Sequence, residues 1–186
     1  NKFLTAPPAI ESRFFGYKGI IVLMVAVTLL AVLLSYTTPA GPGDPIPKNV
    51  PVSLNKTVML QLVNEARKKG CQCGDTYYYP AAPLQWNTKL EAAAFTHTAD
   101  MYQKGYFSHT AKDGSRAGNR ITREGYNWRA VGENIGTGYK TEKAVVEGWL
   151  QSPAHCKNIM NKVYKEMGAA RVGTLWTQAF ASPSAK

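Results

Sequence analysis

The sequence contains neither a Gly-rich phosphate loop ending in Lys-Ser or Lys-Thr nor a Gly-x-Gly-x-x-Gly run, so nothing in it encodes a nucleotide cradle. Cysteine is scarce, three residues in all, which excludes a disulfide-dense miniprotein and leaves room for one bridge and one spare thiol. Charged residues make up only 18% and hydrophobic ones 45%, a balance that excludes global disorder and permits a buried core. Acidic residues are the scarcer sign, 12 against 22 Lys and Arg, so the net charge is +10. Such an excess suits an anionic surface: phospholipid headgroups, acidic wall polymer or nucleic acid. No internal repeat is present, and 186 residues hold one ordinary domain plus an appendage rather than two large domains.

From Gly19 to Tyr36 the chain runs for 18 residues without a charge or a proline. At a rise of ~1.5 Å per residue such a helix reaches about 27 Å, close to the roughly 30 Å of a hydrocarbon core. Arg13 and Lys18 flank its N-terminal side, and the first basic residue beyond it is Lys48. Residues 1–18 are therefore expected in the cytoplasm, and everything after Tyr36 outside it. A cleaved signal peptide ending at Thr38-Pro39-Ala40 is the competing reading. The length of the run, its long polar lead and the proline favour an uncleaved transmembrane anchor over 19–36. Both readings export the remainder. Residues 37–53 carry Pro39, Pro42, Pro45, Pro47 and Pro51 with two glycines, an extended linker that cannot be helical. The globular domain is expected over 54–186. From residue 55 onward it holds 18 basic and 10 acidic residues, so the charge excess belongs to the domain.

Met59, Leu62, Val63 and Ala66 form an i, i+3, i+4, i+7 stripe, which predicts a helix ending at Gly70. Asn87 is a good N-cap for a second helix carrying Leu90, Ala94, His97 and Met101 and ending by Gly105. A short helix is expected over 117–124, another from Thr141 to Ser152, and a further one opened by Pro153. The period then changes. Residues 168–172 and 174–180 read as two strands joined at Gly173. Helices first and a strand pair last predict an α+β fold.

Few residues offer chemistry. His109, in Phe107-Ser108-His109, precedes a loop containing Lys112, Asp113, Gly114 and Ser115, where an imidazole is free to meet a metal or a proton; a capping histidine fits as well. Glu133, between Gly132 and Gly136, reads either as an inward-held ligand or base or as a structural carboxylate bonding backbone amides. His155 sits one turn into the helix after Ser152-Pro153, facing a cleft or merely near a helix end. His97, on an apolar stripe, reads as a packed core histidine. A one-residue spacer strains a bridge between Cys71 and Cys73, so Cys156 is expected to pair with Cys71 or Cys73. Three free thiols, or a metal site joined by His155, remain the alternatives.

In order along the chain come Leu84-Gln85-Trp86-Asn87, Phe107-Ser108-His109, Arg120-Ile121, Gly125-Tyr126-Asn127-Trp128 and Gly132-Glu133-Asn134-Ile135. Gly148-Trp149-Leu150-Gln151-Ser152-Pro153-Ala154-His155-Cys156, Asn158-Ile159-Met160-Asn161 and Trp176-Thr177-Gln178 complete the set. Together these segments resemble the CAP (SCP-like) family of cysteine-rich secretory proteins, venom antigens and plant pathogenesis-related proteins, in its bacterial branch. The resemblance implies a CAP-type α-β-α three-layer sandwich, here preceded by one N-terminal transmembrane helix. It also implies a central cleft that in many members holds two His and two Glu able to bind a divalent metal such as zinc. His109 matches the first histidine and Glu133 the first glutamate. The second glutamate would fall at Ser152 and the strand histidine at Leu175, so the tetrad is incomplete. His155 belongs to the bacterial Ser-Pro-x-His pattern and is expected at the same cleft, where His109, Glu133, His155 and a water would make an open zinc site.

The resemblance supplies no enzymatic activity by itself, and no serine or cysteine nucleophile is paired with a base. The expected function is a non-enzymatic binding module, membrane-tethered and extracytoplasmic, or secreted if the signal is cleaved. Its expected partners are the membrane, through the N-terminal helix, and a lipid or anionic envelope component. Nucleic acid is not expected, since the domain is exported and lacks an interleaved aromatic platform. The alternative is a metal-assisted hydrolase of envelope or extracellular polymer, with Glu133 as general base and His109 and His155 holding metal or charge.

Overall fold

The computed structural model describes residues 50–185 except residue 53. The expected cytoplasmic segment 1–18, the anchor 19–36 and most of the linker 37–53 lie outside the described residues. Among the described residues, no helix is long and apolar enough to cross a membrane.

Ahead of the first helix, the Pro51 carbonyl accepts a bond from Gly173 N–H at 2.7 Å. Helix α1 (Lys56–Lys69) starts at Asn55, whose side chain accepts from Val58 N–H, and stops at Gly70 with φ of 80°. Its stripe is real: Met59 and Val63 are fully buried, and Leu62 and Ala66 pack against the same cluster. At its end Arg67 is buried outright. Its Nε donates to the Ala82 carbonyl and its Nη1 to those of Ile159 and Asn161, while burial pushes the guanidinium down to about 10.

Helix α2 (Thr88–Gln103) is capped by Asn87, which accepts from Lys89 and Leu90. Helix α3 (Ala117–Arg123) is the expected short helix. Helix α4 (Glu142–Gln151) starts at Thr141, and α5 (Pro153–Met160) has its proline in the first turn, where the missing N–H leaves nothing unsatisfied.

Strands beyond the final pair were not visible in the pattern. A two-stranded hairpin pairs β1 (Cys71–Cys73) with β2 (Thr76–Tyr78). The main sheet has the order β3 (Gln85–Trp86), β5 (Glu166–Val172), β6 (Leu175–Pro183), β4 (Trp128–Gly136). β3 runs parallel to β5, and the other neighbours are antiparallel. Glu133, read as a residue in a glycine-flanked stretch, is therefore a strand residue on β4, at the sheet's edge.

Alternation in β5 and β6 builds a three-layer sandwich. Met167, Ala169, Trp176 and Phe180 face α1, α4 and α5 with Met59, Val63, Trp149, Ile159 and Met160. Ala170, Ala179 and Ala181 face the opposite layer, with Leu90, Ala94 and Ile121. Small residues on that face let α2 approach closely. At Gly168 an added Cβ would stand 2.1 Å from the Glu91 backbone nitrogen.

Candidate functional site

Glu133 faces the α2/α3 layer from the edge strand, opposite Ala179 of β6. Its side chain is 6% exposed, and both carboxylate oxygens are engaged. Oε2 takes the Arg120 Nη2 at 2.6 Å, and Oε1 takes His109 Nδ1 at 2.9 Å. The Arg120 Nη2 also donates to the His109 carbonyl at 3.2 Å, and its Nη1 to that of Ser115 at 2.8 Å. One guanidinium from α3 thus fixes both the carboxylate and the loop that carries His109. Short local bonds shape that loop: Ser115 N–H donates to the Asp113 carboxylate and Ala111 N–H to the Ser115 carbonyl.

His109 stands with 54% of its side chain exposed. Beside an ionised carboxylate, Nδ1 is the nitrogen that carries the proton, so Nε2 is left to whatever enters from solvent. His155, on α5, is partly buried. Burial holds its pKa below the ordinary histidine value, and the charge of His109 lowers it further.

Beneath them lies His97, wholly buried as its stripe position implies. Its Nε2 donates to the Ser108 carbonyl at 2.9 Å and lies 4.0 Å from Glu133 Oε1, while Nδ1 has no hydrogen-bond partner. Burial lowers its pKa against the opposing pull of Glu133. A neutral ring with the proton on Nε2 satisfies this geometry. A cavity of about 310 Å³ adjoins it, lined in part by His97, Asp100, Asp113 and Arg120.

The backbone of β4 is held from the other layer. Asn158 of α5 donates from Nδ2 to the Glu133 carbonyl at 3.0 Å and to Asn134 Oδ1 at 2.9 Å. Asn134 in turn donates to the His155 carbonyl at 3.2 Å and to Gln178 Oε1 at 3.1 Å. An edge strand that would otherwise present free polar groups is tied to the helix bearing His155.

His109 and Glu133 therefore meet directly, with His155 in electrostatic reach. Arg120 was not singled out for the site from the sequence, since nothing in its local pattern separates it from Arg116 and Arg123 on the same turns. The family's two departures stay departures: Ser152 stands at the N-cap position of α5 without a side-chain cap bond, and Leu175 opens β6.

A divalent metal does not fit a His109, Glu133 and His155 ligand set. The Glu133 oxygens are bonded to a guanidinium and an imidazole N–H, and the guanidinium charge opposes a second cation. Among the described residues, the group of three or more His, Cys, Asp or Glu with ligand atoms within 4.8 Å of one another is Cys71, Cys73 and Cys156, not the histidines. Glu133 is likewise not a free general base. Of the cysteines, Cys73 bridges Cys156 and Cys71 is free.

A sequence model of the family described as "Cysteine-rich secretory protein family" (CAP) matches residues 60–178. The uncharacterized protein YkwD of Bacillus subtilis is 32% identical over 132 residues, covering 69% of this chain and 48% of its own length. A crystal structure of an extracellular SCP-domain protein from Bacillus anthracis superposes with a TM-score of 0.61 at 26% identity, over 67% of this chain and 39% of that one. An outer surface protein of Borrelia burgdorferi shares the fold, with a TM-score of 0.62 at 20% identity, over 73% of this chain and 99% of its own. The chain thus spans about half the length of its Bacillus subtilis relative.

Proposed function

This chain belongs to the cysteine-rich secretory protein (CAP) family, as a member of bacterial type, and from that premise we propose that it is an extracytoplasmic binding module acting through the surface around His109 and His155. One observation carries the reading: both oxygens of Glu133 are spent on Arg120 and His109, so the family carboxylate positions an imidazole instead of holding metal or activating water. A fixed imidazole open to solvent, within a domain of net positive charge, suits a ligand rich in hydroxyl and anionic groups. Such chemistry belongs to an acidic envelope polymer or a lipid headgroup. The apolar run of residues 19–36 supports export of the domain to that side of the membrane. The Bacillus anthracis relative is described as extracellular and the Borrelia burgdorferi one as an outer surface protein, which supports the same side of the membrane.

A hydrolase is the second reading, favoured by the same Nδ1 contact, because a carboxylate-oriented imidazole can act as a base through Nε2. Co-sedimentation of the full chain with wall sacculi carrying anionic polymer and stripped of membrane separates the two, because the apolar run at residues 19–36 would hold the chain on vesicles whatever the domain binds. The binding reading expects retention that falls at least tenfold in a His109→Ala/His155→Ala variant, with no soluble fragments released. Fragments released by the wild type and not by His109→Ala would replace it with the hydrolase.

A further inference from the structure

A cluster of three sulfurs lies where β1 meets α5, apart from the Glu133 site already described. Cys71 and Cys73 are two residues apart on one strand, so both side chains leave the same face of β1 and Gln72 leaves the other. That face meets a single cysteine of α5. Cys73 is bonded to Cys156, across 83 residues of sequence. Cys71 keeps its thiol, with Sγ 3.4 Å from Cys156 Sγ, and all three sulfurs lie within 4.8 Å of one another. The three differ in access: Cys156 is fully buried, Cys73 is 5% exposed, and Cys71 is partly exposed.

We propose that this cluster is an internal thiol–disulfide exchange site, in which Cys71 and Cys73 alternate as the partner of Cys156. The step needs no oxidant or reductant. The Cys71 thiol gives its proton to solvent, and the thiolate attacks Cys156 Sγ. A Cys71–Cys156 bond forms as the Cys73–Cys156 bond breaks, and the electron pair leaves on Cys73, which takes a proton back from solvent. One disulfide and one thiol exist before and after. The 3.4 Å separation means the attack needs side-chain rotation but no new approach of β1 to α5. Burial pushes the Cys71 thiol up, so exchange draws on a minor thiolate fraction and is slow at neutral pH. The consequence is a choice of where the thiol sits. In one isomer it is at the partly exposed Cys71, open to oxidants and to thiol-reactive partners; in the other it is sheltered at Cys73.

Peptide mapping of the oxidised full chain tests this. After incubation at pH 8, exchange is stopped with acid, the chain is unfolded and its free thiol labelled with a maleimide, and fragment spectra locate the label. The proposal expects label on both Cys71 and Cys73 in the wild type and none on Cys73 in a Cys71→Ser variant. It also expects Cys73→Ser to form a Cys71–Cys156 bridge and show no free thiol. Label confined to Cys71 at every incubation time overturns the proposal. So does a folded Cys73→Ser protein with two free thiols. Should Cys73→Ser fail to fold, the wild-type label ratio decides.

Discussion

The Arg120 guanidinium stands 2.6 Å from Glu133 Oε2, with 3% and 6% of the two side chains exposed. A charge pair this deep is expensive to break from one side, because the survivor keeps the desolvation penalty without its partner. Arg120 also supplies two carbonyls with donors, so its removal unties the His109 loop as well.

Replacing Arg120 by Met is therefore expected to lower unfolding free energy by about 3–5 kcal/mol, read by urea denaturation. Adding Glu133→Gln to that variant should restore part of the loss. A double variant as unstable as the sum of the two single ones would show that the pair is not coupled.

The helices were legible because each one carries its own boundary chemistry: Asn55, Asn87, Thr141 and Pro153 start α1, α2, α4 and α5, and Gly70 ends α1. β4 was not. Its central residues Gly132, Glu133 and Asn134 interrupt any apolar alternation, since their partners are side chains from helices on both layers. The three-residue strands of the hairpin are too short to show a period. His109 and Glu133 could be given a site role by family resemblance, whereas Arg120, quoted only within the Arg120-Ile121 segment, could not, because burial of a helix arginine is decided by the strand that packs over it. The choice between Cys71 and Cys73 was equally closed to sequence, as both leave the same face of one strand.

Stability should fall as pH drops below about 6.5. Burial lowers the pKa of His97 and of His155 in the folded chain, and an unfolded histidine titrates near 6.5. Between that value and the lower folded ones, the unfolded chain binds more protons, so unfolding gains as pH falls and no further once the folded groups protonate too. Urea melts from pH 7.5 to 4.5 should show this slope, and a His97→Gln variant should show a shallower one. Equal slopes would mean that His97 is not the group responsible.

Gly168→Ala tests the contact between the sheet and α2. A Cβ there meets the Glu91 backbone nitrogen at 2.1 Å, a neighbour that cannot swing aside. Overpacking of this kind should lower stability by at least about 2 kcal/mol in chemical denaturation. A loss below ~0.5 kcal/mol would mean that α2 moves off β5 freely.

Reduction of the Cys73–Cys156 bridge should lower stability by about 4.5 kcal/mol, as the chain-entropy model expects for a link across 83 residues. Melts with and without dithiothreitol measure it, and unchanged midpoints would place the domain's stability in its cores alone.

The most direct test of the account is a zinc titration by calorimetry of the oxidised full chain beside Glu133→Gln and His109→Ala variants. With Glu133 held by Arg120 and His109, the wild type should bind no stoichiometric zinc at micromolar concentration, and the variants should behave alike. One equivalent of zinc bound by the wild type and lost in both variants would contradict it. Arg120 would then have to leave Glu133, and the Glu133 site would be a metal centre.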